Sequence, residues 1–342
     1  MNLNSKLQHI IDEAVFSQNI PGAILYLAAP QGTWELAAGF ANKETQKMMN
    51  PRDRFRIASI SKVFVATAVL QLVDEEKVTL DDTLRDWLPA QISDRLPNHN
   101  IITIRQLLNH TSGLADYLET EEFTEATTSR DPRQVWTPQE AISYIYNLDP
   151  LLPPGQKHSY SNTNYILLEI IVEQVTGHKL HQELRSRLLH PLGLKDTFTE
   201  AREHLPGGFV EGYEDIDGDG NPEPCNHLNV GLGLGDGGLI SNGRDVATFA
   251  QTLFASDRLL TPETFQEMLT WVDDGQDGGY GLGVSRWDSD WGEAWGHTGS
   301  MDGFLSSLWY IPAAEIIAVA LTNDSDRAAP DEIVEGALGL IV

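Results

Sequence analysis

Ser59 and Lys62 stand three residues apart in the run Ser59-Ile60-Ser61-Lys62. On a helix, positions i and i+3 share a face, so the lysine amine can reach the serine hydroxyl. A serine hydroxyl is a weak nucleophile until a neighbouring base takes its proton. A lysine amine serves as that base when burial or nearby cations lower its pKa. At a helix N-terminus Ser59 would also gain from the positive end of the dipole as oxyanion charge develops. The chemistry this pair suggests is acyl transfer through an ester on Ser59. Read alone, the pattern is weak, because a chain of this length holds about one Ser-x-x-Lys by chance. A capping serine beside a solvated lysine explains it as well.

Two other short patterns carry polar groups suited to the same reaction. In Tyr160-Ser161-Asn162 the phenol can relay a proton, and the amide can hold a substrate amide and steady Lys62. The plain reading is a turn with a helix cap at Asn162. In His297-Thr298-Gly299-Ser300, Gly299 permits close backbone approach, and a strand edge there can pair with an extended substrate. The Ser300 N–H can join that of Ser59 in an oxyanion hole, and His297 offers a donor or a positive charge near the acyl group. A lone histidine by a glycine turn is more often structural.

These groups need elements to position them. Leu3, Leu7, Ile10, Ile11 and Ala14 recur at helical spacing, so the chain opens with an amphipathic helix. Two strands are expected over 22–29 and 34–41, and a short one over 55–58 leads into Ser59. Helix formers follow over 60–73, with Ser59 placed to cap them. Further helices are expected over 103–109, 138–147, 163–176 and 180–189. The stretch 207–243 is glycine-rich loop, followed by helices over 244–255 and 262–270. Strands are expected over 280–287, 293–297, 304–311 and 316–322, and a closing helix over 330–341. Strands thus lie at both ends of the chain with helices between. The fold class is α+β: one antiparallel sheet built from both termini and flanked by helices, with an inserted, mostly helical domain. The expected division is a sheet domain of residues 1–76 and 243–342 and a helical domain of residues 77–242, with the site in the groove between them.

Composition excludes several function classes. The 342 residues are 41% apolar with 29 Gly and 17 Pro, an ordinary globular make-up. Fifty acidic against 23 basic residues give a formal charge of −27, which repels nucleic acid and anionic lipid. Cys225 is the only cysteine, so no intrachain disulfide forms. No apolar run approaches the ~20 residues of a membrane span. The N-terminal residues lack the pattern of a signal peptide. The expectation is a cytoplasmic monomer without a cofactor, or a periplasmic or secreted protein if a signal was trimmed.

The order Ser-x-x-Lys, Tyr-x-Asn, His-Thr-Gly resembles the serine β-lactamase and penicillin-binding superfamily. Other stretches look similar too: residues 107–114, Pro154-Gly155, residues 160–164, and Tyr280-Gly281-Leu282-Gly283. Together they resemble the branch of class C β-lactamases, D-alanyl-D-alanine carboxypeptidases, D-aminopeptidases and related esterases. The resemblance implies a β-lactamase/transpeptidase-like fold, with Ser59 as acylated nucleophile, Lys62 as its base partner and Tyr160 as proton shuttle. Asn162 would contact substrate and lysine. His297 would occupy the slot that class C enzymes fill with lysine, and Thr298 and Ser300 would bind a substrate carboxylate. Carboxypeptidases of this branch hold that carboxylate partly with an arginine after the Tyr-Gly-Leu-Gly stretch. Here the place falls on Ser285, with Arg286 next, and adjacent strand residues face opposite sides.

The reading that follows is a serine hydrolase acting on D-Ala-containing peptides as a D,D-carboxypeptidase or D-peptidase. A carboxylesterase or weak β-lactamase on the same scaffold is the alternative. A non-catalytic penicillin-binding or sensor domain is the alternative of another class. Asp215, Asp217, Asp219 and Gly220 resemble the start of a calcium loop, but its twelfth position is Asn226 rather than glutamate, so an acidic turn is expected. Trp287, Trp291 and Trp295 are candidates for the wall of the substrate groove.

Overall fold

The computed structural model describes residues 2–129, 131, 135–228, 233–275, 278–327 and 329–341. Residues 229–232 of the expected glycine-rich loop lie outside them. Its frame is an eight-stranded sheet of β1 (Gly22–Ala29), β2 (Gly32–Asn42), β3 (Lys47–Met48), β4 (Gly278–Tyr280), β5 (Ser285–Ser289), β6 (Gly292–Met301), β7 (Phe304–Ile311) and β8 (Ile316–Thr322). The order across the sheet is β3-β2-β1-β8-β7-β6-β5-β4, with every neighbouring pair antiparallel. The two ends of the chain meet at the β1–β8 seam, where Ala23 lies opposite Thr322 and Ala28 opposite Ile317.

β7 and β8 are almost wholly buried because helices cover both faces of the sheet there. On one side lie α1 (Leu3–Ser17) and α5 (Ala329–Leu338), whose Leu7, Ile11, Ile333 and Val334 are buried against Leu25, Trp309 and Ile316. On the other side, α2 (Ser61–Asp74), α3 (Thr163–Thr176) and α4 (Gly243–Phe254) build the larger core. Ser61 to Leu70 of α2 are all buried, and so are Thr163 to Val172 of α3. A helix apolar all round must sit inside the protein, and α2 and α3 pack on each other there. No helix among the described residues is long and apolar enough to cross a membrane.

Several expected elements change at their ends. The strand expected over 280–287 breaks into β4 and β5, because Gly281 to Val284 turn tightly, with Gly281 N–H bonded to the Val284 carbonyl and Gly283 at φ +84°. β6 runs on to Met301, past the expected end at 297. The helix expected over 180–189 is α-helical only over Leu180–Leu184 and widens to a π-turn over Arg185–Leu189.

Candidate active site

Ser59 enters the site on a strained connection. Phe55–Arg56 pairs with Leu239–Ser241, and the Ile57 N–H bonds to the Leu239 carbonyl. Ala58 then takes φ +45°, a region that costs any side-chain-bearing residue energy. Ala58–Ile60 forms a single 3-10 turn that feeds α2. Ser59 therefore does not cap α2 as expected. Its hydroxyl instead meets two functional groups: the Lys62 Nζ at 3.0 Å and the Tyr160 hydroxyl at 3.1 Å.

Lys62 is fully buried one turn along α2. Its amine also donates to Asn162 Oδ1 at 2.7 Å and to the Asp236 backbone carbonyl at 2.5 Å. Two oxygens thus occupy two N–H positions, and the third position on nitrogen faces Ser59. There the amine donates to Ser59 Oγ. Asn162 is itself fixed. Its Nδ2 and its backbone N–H both bond to Asp116 Oδ2, at 2.8 and 2.9 Å. Asn162 precedes α3, but its side chain makes no capping bond, so the site has taken it from the helix.

His297 is buried, with its Nε2 at 2.9 Å from the Tyr280 hydroxyl and its Nδ1 at 2.5 Å from the Thr298 carbonyl. The carbonyl can only accept, so Nδ1 carries the proton and Nε2 accepts from Tyr280. Burial, with Lys62 nearby, pushes the imidazole down to about 3. Of the two roles expected of His297, a donor or a positive charge, burial disfavours the charge. Thr298 and Ser300 are exposed on β6 and line the cleft beside Ser59. Gly299 permits a close backbone approach, here to the segment Ile57–Ala58. A Cβ there would come within 2.6 Å of the Ile57 carbonyl and 3.0 Å of the Ala58 Cβ. Its bareness lets β6 press against the segment that carries Ser59.

The cleft has a volume of about 840 Å³. The carboxylates on its wall are Glu214, Asp236, Asp274 and Asp302, and no lysine or arginine lines it among the described residues. Burial drives the Asp236 carboxyl up to about 6 and the Glu214 carboxyl up to about 7. Tyr117 donates to Asp236 Oδ2 at 2.9 Å, which ties that carboxylate to the cleft floor.

Arg286 is not in this cleft. Its Nη1 pairs with Glu293 at 3.1 Å, and it faces a neighbouring recess of about 500 Å³ beyond Ser285 and Thr298. Strand alternation leaves Ser285, not Arg286, on the cleft wall, with no bulge to reverse it. The three tryptophans are also elsewhere. Trp287 packs edge-on against Trp309, and Trp291 lines the neighbouring recess. Trp295 lies among Phe254, Phe265 and Trp271. The carboxylates of Asp215, Asp217 and Asp219 come within 4.8 Å of one another. Each already accepts a backbone N–H from the turn, from Gly220, Asp219 and Asn221 in that order.

Sequence reasoning missed Asp116, Tyr117, Asp236 and Tyr280. Tyr280 opens a stretch quoted for its resemblance, which was the only signal it gave. Asp236 acts on Lys62 through its carbonyl, which every residue has, so no sequence pattern could mark it.

The pattern of the beta-lactamase family matches residues 7–341. The chain belongs to the beta-lactamase family. It is 28% identical over 331 residues to penicillin-binding protein 4 of Amycolatopsis lactamdurans, covering 92% of this chain and 84% of that protein. It is 29% identical over 315 residues to a D-aminopeptidase of Brucella anthropi, covering 88% of this chain and 56% of that one. The chain thus spans little more than half the length of that D-aminopeptidase. Among solved structures, a D-stereospecific amidohydrolase from Streptomyces sp. superposes with TM-score 0.85 at 29% identity, over 98% of both chains. A D-amino acid amidase from Ochrobactrum anthropi SV3 does so with TM-score 0.86 at 27% identity, over 100% of this chain and 99% of that one. Within this beta-lactamase family the chain is a serine hydrolase of α+β fold.

Proposed function

We propose that Ser59 is acylated by the carbonyl of an amide whose acyl group is a D-amino acid with a free α-ammonium, as in a D-amino acid amide or the N-terminus of a D-residue peptide. Lys62 takes the Ser59 proton as Oγ attacks the carbonyl carbon. The backbone N–H groups of Ser59 and Ser300 hold the oxyanion. Tyr160 passes a proton to the leaving amine, whose C–N bond then breaks, leaving an ester on Ser59. Water, deprotonated through the Tyr160–Lys62 network, releases the D-amino acid and restores the serine.

The observation that carries this substrate class is the charge of the cleft. Four acidic side chains line it, Asp236 and Glu214 being raised by burial to about 6 and about 7, and among the described residues no lysine or arginine does. Such a wall attracts an ammonium and repels the C-terminal carboxylate that a D,D-carboxypeptidase must bind. The position of Arg286 beside Glu293, outside the cleft, supports the same choice. The names of the relatives and neighbours, a D-aminopeptidase, a D-stereospecific amidohydrolase and a D-amino acid amidase, support the choice of a D-residue.

The test is a side-by-side assay of a D-aminoacyl amide, its L-enantiomer, a D-Ala-D-Ala peptide blocked at its N-terminus, a chromogenic ester and a chromogenic cephalosporin. The D-aminoacyl amide with a free amine should give the highest kcat/KM among the amide, peptide and lactam substrates. Faster release of D-Ala from the N-blocked peptide would overturn the choice in favour of the carboxypeptidase.

A further inference from the structure

Tyr160 is 39% exposed, and among the described residues the one hydrogen bond that fixes its phenol is that to Ser59. Something else must hold so exposed a ring in one orientation. Directly against it lies His110, which is fully buried and whose ring stacks on that of Tyr160 with centroids 4.1 Å apart and planes 28° off parallel.

The His110 ring is held through one nitrogen, Nδ1, while its buried Nε2 meets no partner among the described residues. Ser112 Oγ donates to Asn164 Oδ1 at 2.6 Å, which turns the Asn164 amide so that Nδ2 faces the imidazole. Asn164 Nδ2 then donates to His110 Nδ1 at 3.0 Å, and the Ser161 N–H reaches the same nitrogen at 3.2 Å. With two donors aimed at it, Nδ1 must be an acceptor, so the ring is neutral with its proton on Nε2. Burial, with Lys62 close by, also keeps the imidazole neutral. The His110 carbonyl accepts the Ser159 N–H at 2.8 Å. One residue thus grips the chain on both sides of Tyr160 and supports its ring from below.

We infer that His110, locked by the Ser112–Asn164 relay, is a positioning residue that aims the Tyr160 phenol at Ser59. This rests on the proton-transfer role proposed for Tyr160. An alternative role is purely structural, with His110 satisfying buried donors and the stack incidental. The two make different kinetic predictions.

The chosen variant is His110→Asn. His110 sits at φ +56°, a region that asparagine tolerates better than other side chains. Its Oδ1 can replace Nδ1 as acceptor, so the donors stay satisfied while the stacked ring is lost. A pair of stacked rings of this kind predicts a roughly three- to tenfold fall in kcat for the D-aminoacyl amide, with KM within about twofold. In a Tyr160→Phe background the same substitution should change kcat by less than about 1.5-fold, because the phenol it aims is gone. Ser112→Ala, a milder change at the far end of the relay, should give a smaller loss with the same dependence on Tyr160, and it keeps the test open should His110→Asn fail to fold. Equal losses in both backgrounds, or no loss in either variant, would overturn the inference. If Tyr160→Phe alone leaves kcat intact, the proposed proton route fails instead, and the two failures are told apart.

Discussion

The His297 imidazole lies 2.9 Å from the Tyr280 hydroxyl and accepts a hydrogen bond from it, and burial keeps the residue that could have carried charge at the cleft wall neutral. Its value near 3 lies far below the ordinary histidine range. The folded protein therefore leaves it unprotonated between about pH 6.5 and about pH 3, while the unfolded chain protonates it. The stability it contributes is whole above that window and is lost as pH falls through it. Activity should follow other groups. His297→Gln, which can still accept from Tyr280, should leave the acid limb of kcat/KM within about half a pH unit of wild type. A larger displacement, read from a pH–rate profile above pH 4, would mean that His297 titrates during turnover.

Gly299 gives a second prediction. The Cβ of Gly299→Ala would lie 2.6 Å from the Ile57 carbonyl and 3.0 Å from the Ala58 Cβ. Neither neighbour is a flexible side-chain tip, so β6 or the turn before Ser59 must shift. Overpacking of this kind costs about 1–3 kcal/mol, measurable as a lower urea midpoint. A small displacement between nucleophile and oxyanion donor should cut kcat/KM roughly ten- to hundredfold. A variant of wild-type stability and activity would show that β6 and Ala58 do not need this contact.

Glu169 shows the opposite pH sign. It is buried on α3, accepts the Gly235 N–H at 2.8 Å, and is pushed up to about 8 by burial. Between its ordinary 4.5 and about 8, the folded protein binds a proton that the unfolded chain has released. This group alone therefore lowers stability by about 1.4 kcal/mol per pH unit as pH rises across that window. Glu169→Gln keeps the acceptor and removes the titration. Its stability advantage over wild type should be larger at pH 8 than at pH 5 in urea unfolding. A difference that stays constant or shrinks would place the Glu169 carboxyl in a more polar setting than its burial implies.

Much of the frame was legible because local signals agreed. The apolar runs Phe304–Ile311 and Ile316–Thr322 and the helix Thr163–Thr176 fall where their periodicity, length and bounding turns put them. The spacing of Ser59 and Lys62 on one helical face was likewise readable, and the structure brings them to 3.0 Å. Other features depend on contacts made by distant segments. Ser59 and Asn162 both carry good capping side chains, yet each is drawn instead to Lys62. The strand expected over 280–287 is broken by a turn whose carbonyls and N–H groups pair locally and with Met268 and Leu108. Arg286 depended on the parity of a single position, and the unbroken β5–β6 register sends it away from the cleft.

On the proposed route the hydroxyl of Ser59 becomes an ester during catalysis. Intact-mass measurement after exposure to a fluorophosphonate, with peptide mapping of the adduct, tests it directly. Wild type should gain one adduct on the peptide holding Ser59, while a folded Ser59→Ala variant should gain none. An adduct of equal yield in Ser59→Ala, or mapped to another serine in wild type, would contradict the account.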